Sequence, residues 1–106
     1  MGSNSYSIVI THTAESDMDD IYSYITHQLH AEPSAKKLMT NIQEKIIRLK
    51  EFPLSCPIVT AVLPDKNYRK LIVDNYLIFY KVDEPNKRVI IARVLYASQS
   101  YIQILE

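Results

Sequence analysis

The chain has 106 residues, of which 47% are hydrophobic, and its 12 basic and 12 acidic side chains cancel at neutral pH. This length and composition predict one folded domain over residues 1–106, with residues 1–5 as disordered or cloning-derived sequence, and they exclude an intrinsically disordered chain. Zero net charge disfavours a general nucleic-acid binder. The single glycine excludes a glycine-rich phosphate loop, and the single cysteine excludes an internal disulfide and favours the reducing cytoplasm. No apolar run approaches the roughly 20 residues of a membrane span, so no membrane partner is expected.

The first predicted elements are a short strand and an amphipathic helix. Tyr6–Thr11 is the candidate strand, and Thr11 or Thr13 can cap the helix that follows by accepting a hydrogen bond from a free backbone N–H. We expect this helix at about residues 14–30. One of its faces carries an apolar stripe at helical spacing, formed by Met18, Ile21, Tyr22, Ile25 and Leu29.

A second helix is predicted to start at Pro33, because proline is tolerated in the first helical turn. Phe52-Pro53 ends it. Two antiparallel helices joined by a short connection form a hairpin, whose apolar faces must pack against another element. The apolar stripe of the second helix consists of Ala35, Leu38, Met39, Ile42, Ile46 and Leu49.

Three strand-like runs in the second half of the chain can cover the hairpin. They are Tyr68–Val73, Tyr76–Val82 and Arg88–Leu95, each rich in aliphatic and aromatic residues. Asp74-Asn75 predicts a two-residue hairpin turn, because both residue types tolerate positive φ. Pro85 cannot donate to a strand ladder, so the segment around it forms the second turn. The runs therefore predict an antiparallel meander of three strands.

The predicted fold is α+β, in the order β-α-α-β-β-β. The helix hairpin packs on one face of a small, mostly antiparallel sheet, and the first strand pairs beside the meander. The other face and the sheet edges stay available for a partner. Residues 54–67 are interpreted as a loop with a brief strand, and residues 97–106 as a short C-terminal helical tail.

Four stretches of the sequence form a recognisable pattern. They are DMDDIYSYI in the first helix, LKEFP at the end of the second, YRKLIVDNYLIFYKVDE through two meander strands, and RVLY in the third. Together they resemble the RelE/ParE superfamily of bacterial type II toxins, over about residues 8–105. The resemblance implies the β-α-α-β-β-β fold, a cytoplasmic toxin with no cofactor or metal, and a cognate antitoxin that neutralises it by wrapping the sheet. It leaves room for a homodimer.

The superfamily implies two alternative activities. One branch inhibits DNA gyrase by binding it, and the other cleaves messenger RNA on the ribosome as a metal-independent endoribonuclease. Ribonuclease toxins usually carry an arginine directly after the aromatic residue that opens the second meander strand, whereas here Leu77 follows Tyr76. The uncharged residues after the third strand also resemble the gyrase-inhibiting branch. The resemblance therefore implies a ParE-like toxin that is not an enzyme, with the RelE-like ribonuclease as the alternative.

The candidate residues for binding the antitoxin or the target lie on the meander and just beyond it. They are Tyr68, Arg69, Lys70, Lys81, Arg93, Tyr96 and Tyr101. We expect Arg69 and Arg93 to face antitoxin carboxylates, which suit guanidinium groups. Metal-free RNA cleavage needs an acid, a base and cations around the phosphate. For the ribonuclease alternative the catalytic candidates are Arg69, Arg93, Tyr96 and Tyr101.

Other polar residues are assigned ordinary roles. His12, His27 and His30 fall outside the sheet and lack the spacing of metal ligands, so they are interpreted as surface or capping residues. The carboxylates of the segment Asp17–Asp20 are interpreted as favourable charge near the start of a helix and not as a metal site.

Overall fold

A four-stranded sheet with two helices on one face forms the fold, in a computed structural model that describes residues 5–59 and 67–98. In chain order the elements are β1 (Ser7–Ile10), α1 (His12–Ser23), a π-helical turn (Tyr24–Gln28), α2 (Glu32–Arg48), β2 (Arg69–Val73), β3 (Tyr76–Asp83) and β4 (Arg88–Tyr96). This confirms the α+β class and the β-α-α-β-β-β order. The predicted C-terminal helical tail lies outside the described residues.

The strands lie side by side in the order β1-β4-β3-β2. β2, β3 and β4 form the predicted antiparallel meander, whereas β1 pairs with β4 in parallel, with Ser7 opposite Arg88. Ala92 has no partner in β3, because Tyr80 pairs with Ile91 and the next pair is Phe79 with Arg93. The sheet is therefore mostly antiparallel, with β1 and β2 as its two edges.

Thr11 joins the end of β1 to the start of α1. Its hydroxyl accepts a hydrogen bond from the backbone N–H of Ala14 at 3.1 Å, which makes it the N-cap of the helix. The same hydroxyl donates to the carbonyl oxygens of Ile91 (2.8 Å) and Ala92 (3.2 Å) in β4. Thr11, and not Thr13, therefore starts the helix and fastens it to the sheet.

The first helix departs from the predicted regular helix at its C-terminal end. A π-helical turn occupies Tyr24–Gln28, and His30 follows with a φ of 51°. A π turn carries one extra residue, which rotates the side chains after it by roughly 100°. Ile25 is buried as predicted, but Leu29 is 55% exposed. The prediction that Leu29 belongs to the buried stripe was wrong for this reason.

The apolar stripe of α2 is confirmed and packs on one face of the sheet, which we call the helix face. Five of its six members, Ala35, Leu38, Ile42, Ile46 and Leu49, are buried, and the sixth, Met39, is half-buried against the same core. They belong to one hydrophobic core with sheet residues whose side chains share the helix face, namely Val73, Ile78, Tyr80, Val89, Ile91 and Val94. This core fixes the hairpin against the meander, as two packed layers require.

The opposite sheet face, which we call the far face, has an apolar centre of its own. Leu77, Phe79 and Leu95 form a second buried cluster there with Val59. Val59 reaches the cluster because residues 57–59 run beside β2: its N–H donates to the carbonyl of Tyr68 at 2.8 Å, in a single antiparallel bridge. The far face, expected to stay available for a partner, is therefore packed at its centre, and only its surroundings are exposed.

Two local predictions can be compared directly with the backbone. Asp74 opens the β2–β3 turn with a φ of 53°, as the Asp-Asn hairpin predicted. Of the brief strand expected within residues 54–67, the described part shows one bridge at Ile58. No helix in the described residues is long and apolar enough to cross a membrane.

Candidate protein-binding site

The register of the sheet divides the candidate residues between its two faces. Arg69 pairs with Tyr80 and Lys70 pairs with Phe79, while Phe79 pairs with Arg93 on its other side. Side chains of neighbouring residues in a strand point to opposite faces, and directly paired residues share a face. Arg69 therefore lies on the helix face and Arg93 on the far face. The candidates on the far face are Tyr68, Lys70, Lys81 and Arg93.

Tyr68 is the centre of this far-face group. Its ring packs edge-on against Phe79, with the ring centroids 6.5 Å apart, and the Nζ of Lys81 lies 4.5 Å from its ring centroid. An ammonium group over an aromatic face is attracted by the ring quadrupole. The group thus presents cations and an aromatic ring beside the buried far-face cluster, an arrangement suited to binding an acidic protein surface.

Arg93 already holds a carboxylate of its own chain. Its Nε and Nη2 donate to the two carboxylate oxygens of Asp17 on α1, each at 2.8 Å. Both side chains are largely buried, and the hydrogen bonds that the Arg93 guanidinium donates to Asp17 raise the pKa of Arg93. The position of Asp17 in the sequence predicts only a favourable charge near the start of a helix, whereas the structure shows it as the partner of Arg93, a site candidate.

The same carboxylate also completes the edge of β4. β1 ends at Ile10 and pairs with β4 only as far as Ile91, so beyond that residue β4 has β3 on one side and no strand on the side of β1. Asp17 accepts a hydrogen bond from the N–H of Val94 at 3.0 Å, and the Thr11 hydroxyl donates to the carbonyls of Ile91 and Ala92. The start of α1 therefore replaces the missing strand, and this is the function of Asp17 that sequence reasoning missed.

Arg69 is also engaged within the chain, in a different place. Its Nη1 donates to the carbonyl of Cys56 at 2.6 Å and to that of Leu54 at 3.4 Å. Next to it, the buried hydroxyl of Tyr80 donates to the carbonyl of Pro53 at 2.9 Å. Burial, followed by the interaction with Cys56, raises the pKa of Tyr80. Arg69 and Tyr80 together hold the loop that follows α2.

Tyr96 lies at the end of the sheet on the helix face. Its ring meets that of Tyr76 with centroids 5.5 Å apart and the planes at 64°. Burial, together with the neighbouring Tyr96 and Tyr24, raises the pKa of Tyr76. Tyr24 and Tyr96 are both exposed, so this end of the sheet presents an aromatic surface. Tyr101, the last candidate, lies outside the described residues.

Position 77 is apolar and closed. Leu77 is 7% exposed, and it pairs with Leu95 on one side and Ile72 on the other.

The histidines are exposed and fall on α1, the π-helical turn and the loop after it. Within residues 5–59 and 67–98 the sheet thus carries no histidine, and no group of three or more His, Cys, Asp and Glu side chains could hold a metal. The described part of the sheet thus carries lysines and tyrosines on its surface, around the buried far-face cluster.

Comparison with known proteins identifies the family. The family model described as the ParE toxin of the type II toxin–antitoxin system parDE matches residues 8–101. The chain therefore belongs to the ParE toxin family and is a type II toxin of the ParE/RelE superfamily. No curated protein sequence matches it significantly.

Three solved structures are similar in fold. The chromosomal ParDE system from P. aeruginosa matches with a TM-score of 0.74 and 21% identity, over 91% of this chain and 100% of the other. The toxin–antitoxin complex RelBE2 from Mycobacterium tuberculosis matches with a TM-score of 0.61 and 17% identity, over 90% and 94% of the two chains. A double arginine-to-alanine mutant of the E. coli toxin RelE, in the free state, matches with a TM-score of 0.54 and 19% identity, over 94% and 92%.

Proposed function

We propose that this toxin acts by binding DNA gyrase and inhibiting it, and not by cutting RNA. The observation that carries the proposal is the engagement of both candidate arginines within the chain. The guanidinium of Arg93 is bound by Asp17, and that of Arg69 by loop carbonyls. A ribonuclease must offer cations to the phosphate in the transition state. Neither arginine is poised to do so.

Leu77 supports the same conclusion. Its side chain is packed among Phe79, Leu95 and Val59 in the far-face cluster. An aliphatic side chain cannot hydrogen-bond a phosphate, and the loss of one such contact, when it forms mainly in the transition state, costs on the order of 10²–10³ in rate. The surface that remains suits protein recognition, with the cations Lys70 and Lys81 beside Tyr68.

We also propose a cognate antitoxin as the partner that neutralises this chain. The structural relatives ParDE and RelBE2 are toxin–antitoxin systems by description. Because Asp17 already pairs with Arg93, the antitoxin carboxylates would bind the far-face lysines Lys70 and Lys81 rather than both arginines. Lysine forms a point-charge contact and not the bidentate contact expected for arginine.

The test compares the two activities with one purified protein. We expect gyrase supercoiling to be inhibited, and we expect transcript ends mapped after induction in a host to be unchanged. The variant Lys81→Glu should weaken inhibition, whereas the matched control Lys45→Glu, in the last turn of α2, should not. Codon-phased cleavage of translated messages, with supercoiling untouched, would reverse the assignment in favour of the RelE-like ribonuclease.

A further inference from the structure

Three tyrosines meet at one end of the sheet, on the helix face, and we call them the tyrosine surface. Tyr76 opens β3 and Tyr96 ends β4, and their ring centroids are 5.5 Å apart. Tyr24, directly after α1, lies close enough to Tyr76 to influence its pKa. Tyr24 is 56% exposed and its ring stacks on neither of the other two. Its ring is therefore available for a further contact beside the Tyr76–Tyr96 pair.

Backbone hydrogen bonds hold the tyrosine surface in place. The N–H of Leu29 donates to the carbonyl of Tyr24 at 3.3 Å, which closes the π-helical turn, a feature that is frequent at functional sites. The N–H of Ala97 donates to the carbonyl of Asn75 at 2.8 Å, which keeps the end of β4 beside the β2–β3 turn. The rings are therefore presented by ordered elements, and a ligand pays little to arrange them.

Two carboxylates border the tyrosine surface. Asp20 lies one helical turn before Tyr24, and its carbonyl accepts the N–H of Tyr24, so the two side chains share a helix face. Asp74 occupies the β2–β3 turn, two residues before Tyr76. Both aspartates are exposed, and in the part of the chain that the structure describes neither forms an ion pair or a side-chain hydrogen bond. This end of the molecule is therefore aromatic and negative.

The combination of rings and carboxylates indicates the chemistry of the ligand. Aromatic faces attract cations, and carboxylates pair with them. Arginine suits both groups at once, because its planar guanidinium stacks on a ring while its edge donates to a carboxylate. Within the described residues no lysine or arginine lies over Tyr24 or Tyr76, since the cation–π contacts are at Tyr6 and Tyr68. The cation must therefore come from outside the described chain.

Other occupants fit this surface less well. Nucleic-acid bases also stack on tyrosine, but their phosphates would meet Asp20 and Asp74. A second copy of the chain, placed face to face, would bring the same carboxylates together, which disfavours self-association. Burial raises the pKa of Tyr76, so its ring lies in partly desolvated surroundings, where a cation–π contact is stronger than in open water.

We propose that the tyrosine surface binds an arginine side chain of another protein. The guanidinium stacks on Tyr24 beside the Tyr76–Tyr96 pair, Asp20 accepts its N–H groups, and Asp74 adds negative charge at the same end of the sheet. The protein then has two surfaces of opposite preference, because the far-face lysines suit an acidic partner. The inference does not depend on gyrase being the target.

The experiment is a titration of the isotope-labelled full chain with the end-capped tripeptide glycine-arginine-glycine, followed by NMR of the amides and tyrosine rings. We expect shifts confined to the end of α1, the π-helical turn, the β2–β3 turn and the end of β4. Tyr24→Leu should weaken binding about two- to fivefold, whereas Tyr24→Phe keeps the ring and should bind as the wild type does.

The carboxylate is tested by a matched pair of variants on α1. Asp20→Asn should weaken the tripeptide by about two- to fivefold, because it removes the charge that faces the guanidinium. Asp19→Asn removes the same charge about 100° around the helix and should leave binding unchanged. Asp74→Asn gives an independent variant on the other side of the sequence. Circular dichroism verifies that each variant is folded before its binding is compared.

Several outcomes overturn the proposal. One is the absence of shifts at millimolar tripeptide, and another is shifts centred on the far face. Equal binding by glycine-lysine-glycine or glycine-glutamine-glycine would remove the argument for a guanidinium. An equal effect of Asp19→Asn and Asp20→Asn would mean that the peptide is attracted only by the general charge of the helix. Shifts of the same signals with protein concentration alone would mean that a second copy fills the surface.

Discussion

Arg93 and Asp17 lie 76 residues apart in the chain and are joined by two parallel hydrogen bonds of 2.8 Å. One residue stands on the last strand and the other on the first helix, so the contact ties the two ends of the described fold together. Because Asp17 also accepts a hydrogen bond from the N–H of Val94, one carboxylate bonds both a backbone N–H at the edge of β4 and a guanidinium.

Asp17→Ala should destabilise the protein by about 1–3 kcal/mol, because it leaves a largely buried guanidinium and a backbone N–H without their acceptor. The measurement is urea unfolding at neutral pH. Asp19→Ala, an exposed carboxylate on the same helix, is the control and should change the free energy of unfolding by less than about 0.5 kcal/mol. In a double-mutant cycle with Arg93→Ala the two effects should not add. Additivity within error would show that the pair contributes little.

Tyr80 should make the free energy of unfolding fall as the pH becomes alkaline. Burial raises the pKa of its phenol above the ordinary value of 10.0, so the folded state holds the proton more tightly than the unfolded state does. This contribution is fully present below about pH 10 and is lost as the pH rises through the folded-state pKa. The wild type should therefore lose more stability than Tyr80→Phe between pH 9 and pH 11, in urea unfolding measured across this range.

At neutral pH the same Tyr80→Phe variant should be less stable than the wild type by about 1–2 kcal/mol, because the buried carbonyl of Pro53 loses its donor. Parallel pH profiles for the two proteins would contradict the assigned role of the phenol.

Arg69→Ala should make Cys56 more reactive toward a disulfide-exchange reagent. The guanidinium holds the carbonyls of Leu54 and Cys56, so its removal lets the loop open more often and exposes the half-buried thiol. We expect the labelling rate to rise severalfold. Lys70→Ala is the matched control, since it removes a neighbouring cation from the opposite sheet face, and it should leave the rate unchanged. Equal rates in all three proteins would mean that the loop is held by other contacts.

Leu77→Arg should destabilise the protein by about 2–4 kcal/mol, because it places a charge in the buried far-face cluster. It should not create ribonuclease activity, since no acid–base pair is assembled around position 77 in the described sheet. Ile72→Arg is the control: Ile72 pairs with Leu77 and is 58% exposed, so the same charge is tolerated there. A stable Leu77→Arg protein that cleaves translated RNA would contradict both expectations.

The second helix was predictable because its apolar stripe repeats at helical spacing without interruption, from Ala35 to Leu49. The first helix was predicted only in part, because the local sequence does not indicate the extra residue of the π-helical turn. That extra residue directs Leu29 outward. The meander was predictable from its turns. The sheet face on which each side chain lies was not predictable. Leu71, Ile72 and Val73 are all apolar, so β2 shows no alternation of polar and apolar residues that would assign Arg69 to one face.

The candidate site was predicted at the level of residue types and not of contacts. Lys70, Lys81 and Tyr68 do gather on the far face, as residues of neighbouring strands can. The partner of Arg93 could not be found from spacing, because ion pairs between distant elements depend on tertiary packing. An aspartate shortly after a threonine N-cap gives no hint by itself that it reaches the last strand.

The parallel pairing of β1 with β4 also governs when the fold can form. Among the residues that the structure describes, Ser7–Ile10 has its strand neighbour in residues 88–91, more than three quarters of the chain later. During synthesis the first strand must therefore wait, with its apolar side chains exposed, until nearly the whole polypeptide has been made. A chain interrupted before β4 contains the residues of the helix hairpin but lacks the central strand that joins β1 to β3 and part of the core on which the hairpin packs, so it cannot assemble this fold. Truncated products of this toxin should consequently be unfolded and harmless.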